Sequence, residues 1–139
     1  EDLTTNDIVK FTSSFVTILV KNKKINSRRI VVGRDARISG PMVEKIVVDT
    51  LVNFGIDVIC LGLSTTPTVE IAVTEENADA GIIITASHNP EEYNGLKFFN
   101  SDGEFLAREE VNKLIDKIAQ AKEKLDVLDE FEPEKGDVL

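Results

Sequence analysis

A three-layer α/β/α domain with a mixed, mostly parallel sheet is the fold class the sequence predicts. Short β-branched runs alternate with helical periods, and the runs are apolar throughout, as strands buried on both faces are. The last run follows its predecessor after only about ten residues, too few for a helical crossover, so it returns antiparallel and makes the sheet mixed.

The elements follow in order. From Leu3 to Asn22, Ile8, Phe11, Phe15, Ile18 and Leu19 recur at three- and four-residue spacing, and Thr4 with Asp7 forms a weak capping box, so this stretch is a helix. The basic stretch Lys21 to Arg29 is a solvated connector. Ile30-Val31-Val32, closed by Gly33, is a buried strand. Ser39-Gly40-Pro41 then supplies a cap and an early proline for a helix marked by Val43, Ile46, Val47, Leu51 and Phe54 and stopped by Gly55. Ile56 to Leu61 is a second buried strand, completing a right-handed βαβ unit. A shorter helix with Val69, Ala72 and Val73 is capped by Thr66 and Pro67, and Gly81 to Thr85 is the third strand. Leu96 to Asn100 is the fourth, and Val111, Leu114, Ile115, Ile118 and Leu125 mark a last helix begun near Ala107. Residues 1–124 are expected to form the domain, and 125–139 an acidic tail or the start of an interdomain linker.

Composition narrows the function. The chain has 139 residues, 42% of them hydrophobic, enough for one core. A net charge of −9 disfavours nucleic acid and anionic membranes as partners. Cys60 is the only cysteine and His88 the only histidine, which removes an intrachain disulfide and a cysteine- or histidine-rich metal site. No apolar run approaches the ~20 residues of a membrane span, and the acidic start lacks a signal peptide's basic region, so a cytoplasmic location is expected.

Ligands of such sheets bind beyond the carboxyl ends of the parallel strands, which selects the loops Gly33–Gly40, Gly62–Thr68 and Thr85–Gly95. None carries a P-loop or a G-x-G-x-x-G, and Ser87 is not in a G-x-S-x-G elbow. Thr85-Ala86-Ser87-His88-Asn89-Pro90 is unusual: a small, restricted polar segment presents the Ser87 hydroxyl after a greasy strand. Tyr93-Asn94-Gly95 offers a turn that returns Lys97, a local cation where the overall charge repels an anion. That combination suits phosphoryl transfer, which depends on positioning and charge neutralisation. Plainer readings stand beside it: Ser87, Asn89 and Pro90 as turn residues, His88 as a surface histidine, Lys97 as a solvent-facing strand residue. Arg34, Asp35 and Arg37 are read as an internal ion pair and loop brace, Thr65 to Thr68 as helix capping, and Cys60 as packing inside a buried strand.

The run Thr85 to Pro90, with Tyr93-Asn94-Gly95-Leu96-Lys97, closely resembles the phosphoserine loop of the α-D-phosphohexomutases. Val32 to Arg37 with Ser39-Gly40, the Thr66-Pro67-Thr68 turn and Phe98 to Gly103 extend the resemblance over about Ile30 to Leu106. It implies that Ser87 carries a phosphoryl group, donates it to a hexose monophosphate and recovers one from the other end of the bisphosphorylated sugar, interconverting hexose 1-phosphate and hexose 6-phosphate. It implies Lys97 as proton shuttle or charge stabiliser and His88 as a weaker candidate for proton transfer. Mg²⁺ would be held through a phosphoryl oxygen on Ser87 and by aspartates of a D-G-D-G-D loop absent from this sequence. Hexose 1,6-bisphosphate is the implied activator, and a sugar phosphate and three further domains of the same polypeptide are the implied partners. The resemblance also implies that the chain is the first of four domains, lacks the family's first strand, and is inactive by itself. The rival class is a non-catalytic α/β binding or regulatory module.

Overall fold

The computed structural model describes residues 5–35, 41–85, 95–121 and 136–139. Along the chain come α1 (Thr5–Lys21), β1 (Arg29–Arg34), α2 (Pro41–Asn53), β2 (Asp57–Leu63), α3 (Thr66–Glu75), β3 (Ala80–Ile84), β4 (Leu96–Phe99), β5 (Phe105–Leu106) and α4 (Arg108–Ala121). The expected cap residues Thr4, Ser39 and Gly40, and the tail from 125 to 135, lie outside the described residues. No described helix is long and apolar enough to cross a membrane.

The strands form one sheet in the order β2-β1-β3-β4-β5. β1 pairs parallel with β2 and β3, while β3 with β4 and β4 with β5 pair antiparallel. The chain leaves β1 for β2 through α2, then returns past β1 to β3 through α3. The two crossovers run in opposite directions, so right-handed connections put their helices on opposite faces. That is the arrangement found. On one face α1, α2 and α4 cover Ile30, Val32, Ile82, Ile84, Leu96 and Phe98. On the other, Val69 and Val73 of α3 cover Val31, Ile83 and Phe99. Neighbouring residues of β1 and β3 thus serve two cores, which is why Ile30 to Val32 of β1 and all of β3 are apolar.

Local chemistry sets the element ends. Phe15 of α1 stacks on Phe98 of β4 at 4.3 Å between ring centroids, seating the helix on the antiparallel half of the sheet. Gly55 takes φ 83° just after α2, where a side chain would be strained. At the start of α4, the Glu110 carboxylate accepts from the Ala107 amide at 3.1 Å, half of a capping box. β5 was not foreseen, and it makes antiparallel pairings as numerous as parallel ones. It exists because Asn100 closes a hairpin turn, its Oδ1 accepting from the amides of Asp102 (2.9 Å) and Glu104 (3.0 Å).

β2 departs from the expectation of a doubly buried strand. It takes the sheet edge, where a strand has a neighbour on one side only, and Val58 is its one buried residue. Cys60 is consequently exposed, not packed in the interior. Residues 136–139 run along the outer side of β2: the Val58 amide donates to the Asp137 carbonyl (2.8 Å), and the Leu139 amide to the Val58 carbonyl (2.7 Å). The pairing covers part of an edge that would otherwise expose unpaired backbone groups.

α3 sits close to the sheet because glycines lie beneath it. A Cβ on Gly81 would stand 2.5 Å from Val73 Cγ2, and one on Gly33 would stand 2.9 Å from Val69 Cγ2. Valine in a helix is nearly locked at χ1, so neither methyl can turn away. Gly81→Ala is therefore expected to destabilise the chain by about 1–3 kcal/mol, the usual range for overpacking. Urea denaturation should show a lower midpoint with an unchanged slope.

Candidate active site at the carboxyl edge of the sheet

The carboxyl ends of β1, β2 and β3 are joined by a row of main-chain hydrogen bonds that runs past the end of the ladder. The Ser64 amide donates to the Arg34 carbonyl (2.8 Å), Asp35 to Ile84 (2.8 Å), and Thr85 to Gly95 (2.7 Å). The roots of all three candidate loops are thereby held in one line. A register shift between Val32 and Gly33 lets β2 bulge at this end, with Gly62 at φ 70°. Bulges near sheet ends commonly re-aim a strand toward a site. Here the bulge leads into Ser64 and Thr65.

Thr65 caps α3. It is extended (φ −106°, ψ 162°), and its hydroxyl oxygen accepts from the Thr68 amide at 3.3 Å. The cap is one residue earlier than Thr66, which with Pro67 lies inside the first turn. The structural reading of Thr65 to Thr68 accounts for these residues.

Lys97 is the second residue of β4 and lies opposite Ile83 of β3. Its neighbours Leu96 and Phe98 point into the core beneath α1, so Lys97 projects to the face that carries α3. It is half-buried. Because β4 runs antiparallel, its first residues stand beside the last residues of β3, so Lys97 belongs to the carboxyl edge. Ser87, His88, Asn89, Pro90, Tyr93 and Asn94 lie outside the described residues, as do Ala36 and Arg37. Ser87 follows Ile84 by three positions, and chain connectivity alone keeps residues so separated within about 11 Å.

Arg34, the last residue of β1, alternates onto the α2 face. There its Nε donates to Glu44 Oε1 at 3.2 Å. The two side chains are 20% and 16% exposed, so the pair is far better shielded than a surface ion pair. Glu44 lies in the first turn of α2, where the helix dipole favours a carboxylate. Its Oε2 is buried and accepts no hydrogen bond. The sequence suggests a brace for Arg34 within its own loop, whereas the structure supplies it from Glu44 on the next helix. An acid in the first turn of a helix that follows an arginine-ended strand was the available signal.

Although Cys60 reaches solvent, partial burial pushes its thiol above its ordinary value, and the Glu44 carboxylate adds to the effect. Among the described residues, no group of three or more His, Cys, Asp or Glu side chains is arranged to hold a metal ion.

The family described as phosphoglucomutase/phosphomannomutase, alpha/beta/alpha domain I, matches residues 1–125. A phosphoglucosamine mutase of Lactobacillus helveticus is 48% identical over 103 residues, which cover 71% of this chain and 23% of that protein. One of Acetivibrio thermocellus is 55% identical over 75 residues, covering 54% of this chain and 17% of that protein. The chain thus spans under a quarter of the length of these curated relatives. A crystal structure of a phosphoglucomutase/phosphomannomutase family protein from Burkholderia thailandensis superposes with a TM-score of 0.68 at 25% identity. That superposition covers 99% of this chain and 29% of the other. A putative phosphomannomutase from Thermus thermophilus gives a TM-score of 0.56 at 28% identity, covering 88% and 28%.

The raised thiol supplies a test of the edge electrostatics. Cys60 alkylation should reach half its maximal rate at a higher pH than that of a cysteine in an unfolded peptide, because the neutral thiol is favoured in the fold. Glu44→Gln should move that midpoint partway back down, since burial, the larger cause, remains.

Proposed function

Because the chain belongs to the phosphoglucomutase/phosphomannomutase domain I family, we propose that it is the phosphoserine-bearing domain of a phosphohexomutase. The polypeptide carrying it would interconvert hexose 1-phosphate and hexose 6-phosphate, acting as an intramolecular phosphotransferase. The observation that carries this reading is the place of Lys97: a cation beside the end of β3, the strand whose following segment bears Ser87. Glucosamine phosphate is the proposed sugar, supported by the phosphoglucosamine mutases among the curated relatives.

In the proposed reaction a hydroxyl of the sugar monophosphate attacks the phosphorus of phosphorylated Ser87. The new sugar O–P bond forms as the bond from phosphorus to Ser87 Oγ breaks. The proton of the attacking hydroxyl ends on Ser87 Oγ, with His88 as a candidate carrier. The bisphosphorylated sugar then turns end for end, and its other phosphoryl returns to Ser87 by the same exchange. Lys97 offsets the negative charge that spreads over the transferring oxygens, a contribution that grows in a site held away from water.

Mg²⁺ and a hexose 1,6-bisphosphate activator belong to this proposal. The described residues do not fit a Mg²⁺ ion by themselves, since they bring no three ligating side chains together. The steps above therefore rest on the chain's own groups. The isolated chain is proposed to be silent, its partners being the rest of a polypeptide about three times as long as this chain, as the relatives' lengths suggest. A cytoplasmic setting is proposed from the single cysteine.

The test is turnover of the full-length polypeptide. Ser87→Ala should lower kcat by at least about a thousandfold, as loss of a nucleophile does. Lys97→Met should lower kcat by about a hundredfold or more with a smaller effect on KM, because its charge matters most as the phosphoryl moves. Unchanged turnover in Ser87→Ala would refute the reading.

A further inference from the structure

β2 borders the sheet with little in its own residues to discourage another strand from adding to it. The run Asp57-Val58-Ile59-Cys60-Leu61-Gly62-Leu63 holds neither proline nor lysine, and its one charged residue is Asp57. Short segments of high strand propensity and low charge pair readily with further strands, and native edges are normally blunted by charge, proline, a bulge or a cover. The bulge of β2 lies at its carboxyl end, past Cys60. Toward its amino end, among the described residues, the cover is the strap formed by residues 136–139.

The strap is fastened by its main chain. The Gly136 amide donates to the Val52 carbonyl near the end of α2 (2.8 Å), and the Asp137 amide to Asp57 Oδ1 (2.9 Å). The Asp137 carbonyl and the Leu139 amide then make the two bonds to Val58. Side chains add little, since Val138 is 58% and Leu139 62% exposed. A segment held by a few hydrogen bonds, with little apolar surface buried, opens far more readily than the core strands do. The fastening also depends on one residue. A Cβ on Gly136 would overlap the main chain of Ile56, which has no side-chain freedom with which to move aside.

We propose that residues 136–139 are a releasable cover over β2, and that their release hands the edge to a second copy of this chain. With the strap gone, the amide and carbonyl of Val58 face outward unpaired. By the alternation of a strand, those of Cys60 face the same way. An identical edge is the partner that fits, because two β2 strands can pair antiparallel about a twofold axis and join two sheets into one. Such a contact uses the same patch on both copies, so it closes at a dimer. The inference is independent of the phosphohexomutase reading and uses none of the residues assigned to phosphoryl transfer.

The test compares the 139-residue chain with Gly136→Val and with a milder variant, Leu139→Pro, which lacks the amide bonded to the Val58 carbonyl. Circular dichroism checks that each is folded, and Leu139→Pro decides the matter if Gly136→Val is not. In dilute solution, hydrogen exchange at the Val58 amide should be about tenfold or more faster in both variants than in the parent, with Ile82 of the central strand β3 little changed. At submillimolar concentration, light scattering should find the parent monomeric and the released variants dimeric, with protection at Val58 restored in the dimer. Adding Cys60→Lys to either variant sets like charges near one another across the twofold axis, and should return a monomer in which Val58 still exchanges fast. Val58 exchanging alike in the parent and the folded variants would overturn the releasable cover. A dimeric parent, or released variants that stay monomeric, would overturn the second copy as its replacement.

Discussion

Three main-chain hydrogen bonds past the ends of the strands hold the candidate site together: Ser64 to Arg34, Asp35 to Ile84, and Thr85 to Gly95. Each contributes only about 0.5–1.5 kcal/mol net. Their importance is geometric. They extend the register of β1 and β3 into the loop roots, so the first residue of each loop inherits the rigidity of the sheet. Without them the arginine at the end of β1 and the lysine of β4 would hang from independent loops. With them Arg34, on the α2 face, and Lys97, on the α3 face, are fixed to one frame at the same edge of the sheet. A site that must offset phosphoryl charge needs its cations fixed before the ligand arrives, since ordering them afterwards would consume binding energy.

Packing makes that frame stiff. β1 and β3 bury side chains on both faces, and Gly33 and Gly81 let α3 settle against the sheet with its valines in contact. The helix then delivers its Thr65-capped start to the same edge. On the opposite face α2 brings Glu44 to Arg34. Two helices on different faces thus converge on one end of the sheet, a direct consequence of two right-handed crossovers running in opposite directions.

Much of this was legible in the residues, and the parts that were not share a cause. The apolar runs of β1 and β3, the antiparallel return of β4 and the helical periods all declare themselves locally. The edge position of β2 does not, because an apolar run reads the same in the middle of a sheet as at its border. Cys60 was misjudged for that reason. β5 has two residues, too few to carry an alternating pattern, although Asp102-Gly103 with φ 78° at the glycine is a hairpin signal. The brace of Arg34 lies ten residues away on the next helix and depends on which face of the strand Arg34 occupies. Ser87 and His88, the residues the sequence marks most strongly, lie outside the described residues, so their weight rests on motif and connectivity.

The central claim is that a hydroxyl following β3 carries phosphate with the help of the β4 lysine. The most direct measurement exposes the full-length polypeptide to a hexose 1,6-bisphosphate labelled in its phosphoryl groups and locates the label by peptide mass mapping. Near-stoichiometric label on Ser87 is expected, acquired far more slowly when Lys97 is replaced by methionine. Label on any other residue, or none after prolonged exposure, would contradict it.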